Sequence, residues 1–351
     1  MKTTAWIACV LLAGLLCEAS AQEGANAERL NVELIRILDA KGAFVSLEGK
    51  SLFVTSGVNT NVQQAGYWFD IGTDPASPAL VCDNLPAAWQ IAVAGNHAFV
   101  CDYTKFLTVC EARDRQWRQV AKLRTPSQTE NIVIRGKLAY VANHVGGLTL
   151  VDISTPSQPA IVSNFNPGID CDALALWNNC AILYGHWESR LVLVDISDPA
   201  KPRQIGVYQH DPKTFNQGEM EVENGFAYCT AVNGLVIVNI ADPTQPKLAK
   251  AVPFKGATTD VVARDGYAFV AASDGVHVLD ASDPAHPVQV GTYKGAVFQL
   301  AVARATGPAS KAAYYIYATS RKGPPMVLRV HIPPRNADIG KGRSQSGSVR
   351  E

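Results

Sequence analysis

The stretch Asp195–Pro202 reads DISDPAKP and directly follows the apolar run Leu191–Val194. Further copies of this aspartate- and proline-bearing phrase begin at Asp70, Asp152, Asn239 and Asp280. The five starting points are separated by 82, 43, 44 and 41 residues, and the first gap is close to twice the others. Self-similarity at a fixed period of this length is typical of repeat architectures.

Two degenerate copies extend the series. Glu111 lies in the middle of the long gap and follows the strand-like segment Phe106–Cys110. His331 follows the similar segment Met326–Val330 near the end of the chain. With these two copies, the chain is predicted to contain seven units.

Each unit is predicted to form four short strands. In the unit around Asp152, the strands are expected at 131–134, 138–142 and 147–152, with the fourth beginning at 159–162. These segments are apolar and β-branched, and turn residues such as glycine and proline separate them. Four-stranded sheets repeated around a ring are typical of a β-propeller.

The repeated phrase has a physical interpretation. An aspartate at the end of a strand can accept backbone N–H bonds in the turn that follows it. The first proline pre-sets φ in that turn, and the second opens the fourth strand. Because proline has no backbone donor, the fourth strand is expected to be the outer edge of its sheet.

The two ends of the chain suggest how the ring closes. The last unit reaches its third strand at 327–332 and then meets Pro333 and Pro334, while an extra strand at 32–38 precedes the first unit. We therefore predict an all-β, seven-bladed β-propeller of four-stranded antiparallel blades, closed by an N-terminal strand that completes the last blade. Its predicted bounds are 30–334, followed by a disordered tail at 335–351 that is rich in Gly, Ser and Arg.

The repeats resemble the LVIVD-repeat family of extracytoplasmic β-propeller proteins. The resemblance rests on LTLVD at 148–152, LVLVD at 191–195 and LVIVN at 235–239, each with its proline-bearing tail. It covers nearly all of the chain after the N-terminal segment, although the copies at Glu111 and His331 depart from the family pattern. It implies a propeller found in surface or periplasmic proteins whose ligands are unassigned.

Residues 1–21 have the pattern of a secretory signal peptide. Lys2 precedes the apolar run Ala5–Cys17, and the small residues Ala19 and Ala21 predict cleavage after Ala21. A lipoprotein signal ending at Cys17 is the alternative, but the bulky Leu16 before it argues against lipidation. The mature protein is therefore expected to be secreted or periplasmic.

Composition excludes two classes of partner. The chain has 351 residues, with 31 Lys plus Arg and 31 Asp plus Glu, so its formal net charge is zero. This balance argues against general binding to nucleic acid, which requires a surplus of basic side chains. No segment after the signal has eighteen uninterrupted apolar residues, so no membrane span is predicted.

Six cysteines follow the predicted cleavage site. Cys101 and Cys110 are expected on adjacent strands, opposite each other, where a disulfide could form in an oxidising compartment. The alternative is that all six are small buried hydrophobic residues. No CxxC pair occurs, which excludes a zinc ribbon.

The candidate ligand-binding residues lie in loops of one propeller face. Tyr103, His144 and His186 follow the second strands of adjacent units, and loops at this position open on the same side as those entering the innermost strands. The predicted binding residues are Tyr103, His144, His186, Trp187 and Glu219. The same face is expected to carry Glu130, Asp170, Asp172 and Asp260.

Two hypotheses follow for the function. The first is a non-catalytic interaction module for an envelope protein or glycan, with no cofactor and no predicted catalytic residue. The second is an extracytoplasmic hydrolase or lyase with a metal-assisted site on the face carrying His144 and His186. His144, His186 and Asp172 are the candidate metal ligands, although loop histidines are also common as solvated surface residues. No nucleophile motif, P-loop or HExxH motif occurs.

Overall fold

The computed structural model describes residues 30–56, 66–114, 116–211, 214–305 and 313–332. The predicted signal peptide at 1–21 and tail at 335–351 lie outside the described residues. The described chain forms strands β1 to β28, which makes it all-β. Within these ranges, no helix capable of crossing a membrane is found.

Five sheets have four antiparallel strands each, in sequence order. The first comprises β2 (Phe44–Glu48), β3 (Ser51–Thr55), β4 (Gly66–Asp70) and β5 (Ala79–Leu85). The second comprises β6 (Gln90–Ala94), β7 (His97–Cys101), β8 (Phe106–Arg113) and β9 (Gln116–Arg124). The third comprises β10 (Asn131–Arg135), β11 (Leu138–Ala142), β12 (Leu148–Asp152) and β13 (Ala160–Phe165). The fourth comprises β14 (Ala173–Trp177), β15 (Cys180–Gly185), β16 (Arg190–Asp195) and β17 (Arg203–Gln209). The fifth comprises β18 (Phe215–Glu223), β19 (Phe226–Ala231), β20 (Gly234–Asn239) and β21 (Lys247–Pro253).

The remaining strands form a single eight-stranded sheet in the order β22-β23-β24-β25-β1-β28-β27-β26. Its strands are β1 (Leu30–Ile37), β22 (Thr258–Arg264), β23 (Tyr267–Ala272), β24 (Gly275–Asp280), β25 (Val288–Lys294), β26 (Gln299–Arg304), β27 (Ala313–Thr319) and β28 (Met326–His331).

The prediction of seven separate four-stranded blades is therefore wrong. The structure has five such blades and one larger sheet. The cause is β1, which pairs antiparallel with β28 and also pairs in parallel with β25 through Leu30 and Asn31. Sequence patterns predicted the pairing with β28 but gave no sign of the second pairing, which joins the two groups of strands.

The innermost strands surround a central channel. Neighbouring inner strands contact one another in the order β2, β6, β10, β14, β18, β22 and β26, and β26 contacts β2. Apolar side chains fill the space between adjacent sheets; Tyr184, for example, packs with Phe215 of the next sheet. The loops at one end of these inner strands form the face that carries the candidate site.

The repeated aspartates act as predicted in the turns after the third strands. The Asp195 carboxylate accepts a hydrogen bond from the Ser197 backbone N–H at 2.9 Å, and Asp152 accepts one from Ser154 at 2.8 Å. Asn239 accepts the equivalent bond from Ala241 at 3.0 Å through its side-chain oxygen. The turn therefore needs an acceptor oxygen at this position and does not need a negative charge.

The six described cysteines are free and buried. The expectation that Cys101 opposes Cys110 is wrong, because Cys101 pairs with Leu107 and Cys110 pairs with Ala98. The loop between β7 and β8 is shorter than the prediction assumed, and this shifts the register. Both thiols lie in the apolar packing between sheets.

Candidate functional site

Three neighbouring loops of one face carry the predicted side chains. Tyr103 lies between β7 and β8, His144 between β11 and β12, and His186 between β15 and β16. Two of these loops are hydrogen-bonded to the segment that enters the next sheet. The Tyr103 N–H donates to the Thr129 carbonyl at 3.0 Å, and the His144 carbonyl accepts from the Cys171 N–H at 3.0 Å.

The backbone at Tyr103 and His144 is in the left-handed region, with φ of 58° and 43°. This conformation costs a non-glycine residue about 1–2 kcal/mol. Neither position is a glycine, so the fold holds two large side chains in a conformation that glycine would adopt more easily. Such backbone strain is frequent at functional sites.

His144 lies between two carboxylates that come from different sheets. Its Nδ1 is 3.0 Å from Asp170 Oδ1, and its Nε2 is 3.7 Å from Glu130 Oε1. Glu130 directly precedes β10, and its N–H donates to the Ala142 carbonyl at 2.9 Å. Asp170 is on the segment that enters β14 and is only 8% exposed. The loops of one sheet and the entry segment of the next therefore build one cluster.

His186 and Asp172 form a second, separate pair. The Asp172 Oδ2 atom is 2.5 Å from His186 Nδ1 and also accepts the His186 backbone N–H at 3.1 Å. Both residues are buried, whereas the adjacent Trp187 is 70% exposed with its ring centroid 4.6 Å from that of His186. The structure therefore places His186 as a buried partner of Asp172 and Trp187 as the exposed side chain of this loop.

The face concentrates negative charge in a buried setting. Burial and the neighbouring carboxylates of Asp172, Asp170 and Glu219 raise the pKa of Glu130 to about 9. Burial and the Asp172 carboxylate also raise the pKa of Asp170, against the opposing effect of His144. The face is thus suited to hold a proton or to accept a cation.

A row of aromatic rings leads to this cluster. Centroid distances are 5.6 Å from Phe298 to Phe44, 4.9 Å from Phe44 to Trp89, 5.2 Å from Trp89 to Tyr103, and 5.8 Å from Tyr103 to His144. The Arg321 guanidinium lies 4.1 Å from the Phe298 centroid, at the far end of the row. The indole N–H of Trp89 is buried and has no hydrogen-bond partner among the described residues.

Glu219 lies in the central channel, below the loops. Its Oε2 accepts a hydrogen bond from Asn131 Nδ2 at 3.1 Å, and it lines a cavity of about 470 Å³ with Gln90, Asp260 and Gln299. Asp260 accepts the backbone N–H groups of Val261 and Leu300 at 2.7 and 2.8 Å. Asp260 therefore ties neighbouring inner strands together, while Glu219 faces the channel below the loop cluster.

The model of the LVIVD repeat matches residues 87–110, 126–167, 185–210, 218–253 and 255–295. The chain therefore contains LVIVD repeats. No curated protein matches it.

Solved structures similar to this LVIVD-repeat protein are β-propellers of low sequence identity. The WD40 domain of coronin from Toxoplasma gondii is 8% identical, with a TM-score of 0.64 over 88% of each chain. BamB from Moraxella catarrhalis is 12% identical, with a TM-score of 0.54 over 87% of this chain and 99% of that one. A protein of unknown function from Desulfotomaculum acetoxidans is 12% identical, with a TM-score of 0.55 over 84% and 100%. At these identities, the similarity shows the fold alone.

Much of this face is built from one equivalent position of the repeat, the residue directly before each innermost strand. Trp89, Glu130, Asp172 and Phe298 each come directly before an innermost strand. Aligning the repeats on that position would have found Trp89 and Phe298, two rings of the aromatic row that the sequence analysis missed. The alignment would not have shown that His144 and His186 have different partners. Those partners depend on which strand-entry segment each loop contacts.

Proposed function

We propose that this LVIVD-repeat protein is an exported, non-catalytic binding module of the cell envelope, and that its ligand binds the face carrying His144 and His186. The observation that supports this most is the aromatic row from Phe298 to His144, which ends at the Glu130 and Asp170 carboxylates. Apolar ring faces beside a few convergent polar groups are typical of ligand sites.

The ligand class that fits this face is a glycan or a segment of an envelope protein. Partly exposed rings such as Tyr103 and the exposed Trp187 offer stacking surface to sugars or to apolar side chains. Carboxylate oxygens accept hydrogen bonds from hydroxyl or amine groups. The rigid sheets hold these groups in place, while the loops set specificity.

Export is the part of this proposal that rests on sequence alone. The apolar run and the small residues before Gln22 support secretion with cleavage after Ala21. Mass spectrometry of the protein recovered from the periplasm or medium is expected to find a mature chain that begins at Gln22. An uncleaved chain retained in the cytoplasm would contradict export.

Binding is tested with purified protein on an array of bacterial envelope glycans and peptides. We expect Tyr103→Ala and Trp187→Ala to weaken binding of any hit about tenfold or more, because each removes a stacking surface. His286→Ala is the matched control, since this exposed ring lies in a turn at the opposite end of the sheets. Binding that His286→Ala abolishes and Tyr103→Ala leaves intact would overturn the location of the site.

A hydrolase or lyase is the second candidate function. The buried pair of Asp172 and His186 favours it, because a carboxylate that orients an imidazole is the arrangement of a general base. Turnover of glycan or ester substrates by the wild type, lost in His186→Gln, would support catalysis. Equal turnover in both proteins would show that the pair is structural.

A further inference from the structure

Glu130, His144 and Asp170 bring three metal-ligating atoms together from three chain segments. One ligand atom of each residue lies within 4.8 Å of the other two. In a tetrahedral zinc site, metal–ligand bonds near 2.1 Å place the ligand atoms about 3.4 Å apart. Side-chain movements of about 1 Å would therefore bring this group around one ion.

Two of these atoms are buried without a hydrogen bond. His144 Nδ1 and Asp170 Oδ1 have no hydrogen-bond partner in the described structure, and their 3.0 Å approach lacks hydrogen-bond geometry. Buried polar atoms are rarely left in this state, because an unpaired group costs about 1–3 kcal/mol of desolvation free energy. An unpartnered carboxylate oxygen on a residue that is only 8% exposed, aimed at an imidazole nitrogen, indicates that a third species completes the contact.

Carboxyl groups surround the cluster and favour binding of a cation. The carboxyl groups that act on Glu130 are those of Asp172, Asp170 and Glu219, and the carboxyl groups that act on Asp170 include those of Asp172 and Glu188. The basic groups that act on Asp170 are His144 and His186. A bound divalent ion would compensate this excess of carboxylates.

We infer that Glu130, His144 and Asp170 bind a divalent transition-metal ion on this face of the propeller. One imidazole nitrogen with two carboxylate oxygens suits Zn²⁺ or Mn²⁺, whereas Ca²⁺ and Mg²⁺ prefer oxygen ligands alone. This set replaces the sequence-predicted group of His144, His186 and Asp172, since Asp172 is bonded to His186. The inference stands apart from the proposed partner binding, because ion uptake is measured with no partner present.

The test uses the full purified chain, stripped with EDTA and titrated with ZnCl₂ or MnCl₂ in a calorimeter. We expect one ion per chain and a higher melting temperature with the ion present. Asp170→Asn keeps the side-chain shape and removes the charge, and Glu130→Gln does the same at the second carboxylate. Each is expected to weaken ion binding at least tenfold. His144→Asn tolerates a positive φ and is expected to have the same effect.

His286→Ala is the matched control. His286 forms a pair of the same kind with Asp283, at 2.9 Å, but in an exposed turn. This variant is expected to bind the ion like the wild type, and circular dichroism verifies that each variant is folded. The inference is overturned if the wild type takes up neither ion, or if Asp170→Asn binds as tightly as the wild type. Should His144→Asn fail to fold, Asp170→Asn and Glu130→Gln still decide the result.

Discussion

At the scale of single residues, the repeat is maintained by turn chemistry. The acceptor oxygens of Asp195 and Asn239 make the same bond to a backbone N–H two residues later. Hydrogen bonds to the Asp195 carboxylate also lower its pKa. Because this acceptor residue recurs after the third strand of several sheets, its role is structural. The candidate site lies at the opposite ends of the strands.

We predict that Asp195→Ala lowers the free energy of unfolding by about 1 kcal/mol, because the Ser197 N–H loses its acceptor. Asp195→Asn is the control and is expected to change the free energy of unfolding by less than about 0.5 kcal/mol. The reason is that Asn239, at the equivalent position of another sheet, makes the same hydrogen bond. Urea denaturation of the two variants measures both values. Equal destabilisation by alanine and asparagine would mean that charge, including the ion pair with Arg203, is what matters here.

At the scale of elements, β1 has the largest consequence for topology. It pairs with β28 along most of its length, and Arg329 binds Glu33 across that pairing with an Nη2–Oε1 distance of 2.5 Å. Val32 faces the core between β24 and β28, whereas Leu34 on the same strand is 43% exposed. Because residues two apart on a strand point to the same side of the sheet, the core covers this side of β1 at Val32 and no longer covers it at Leu34.

We predict that Val32→Asp lowers the free energy of unfolding by about 3 kcal/mol or more, since it places an unpaired carboxylate in the core. Leu34→Asp makes the same chemical change two residues further along β1, where the side chain is exposed, and is expected to cost less than about 1 kcal/mol. Thermal unfolding followed by circular dichroism compares the two. If both variants melt together near the wild-type temperature, β1 does not contribute to the core in the way described.

At the scale of the whole molecule, the channel accumulates carboxyl groups from several sheets. Glu219, Glu221 and Asp260 line it, and burial raises the pKa of Glu221 to about 7 from its ordinary value of 4.5. The folded protein then holds a proton that the unfolded chain releases between these values. The contribution of Glu221 to stability is therefore fully present below about pH 4.5 and is lost as pH rises to about 7.

We predict that Glu221→Gln removes part of this pH dependence. The free energy of unfolding of the wild type, relative to the variant, is expected to fall by about 3 kcal/mol between pH 4.5 and pH 7.5. Urea denaturation at the two pH values measures this difference. Asp114→Asn removes a carboxylate from an exposed turn and controls for net charge. A difference between wild type and Glu221→Gln that stays constant with pH would contradict the prediction.

The sequence by itself determined the repeat, the strand pattern and the turn chemistry, because these depend on neighbours within a few residues. The period of about 42 residues, the acceptor at Asp152 and the pairing of Trp177 with Cys180 all follow from local patterns. The match to the LVIVD repeat rests on the same residues.

Only the tertiary structure decided how many sheets form and which loop residues meet. The second pairing of β1 with β25 joins strands that are more than 250 residues apart, and no local pattern encodes it. Likewise, His144 meets Asp170 because its loop is hydrogen-bonded to the segment that enters the next sheet. By contrast, His144 meets Glu130, and Asp172 binds His186, within one sheet. Spacing along the chain cannot distinguish these partners, because the contact depends on how adjacent sheets pack.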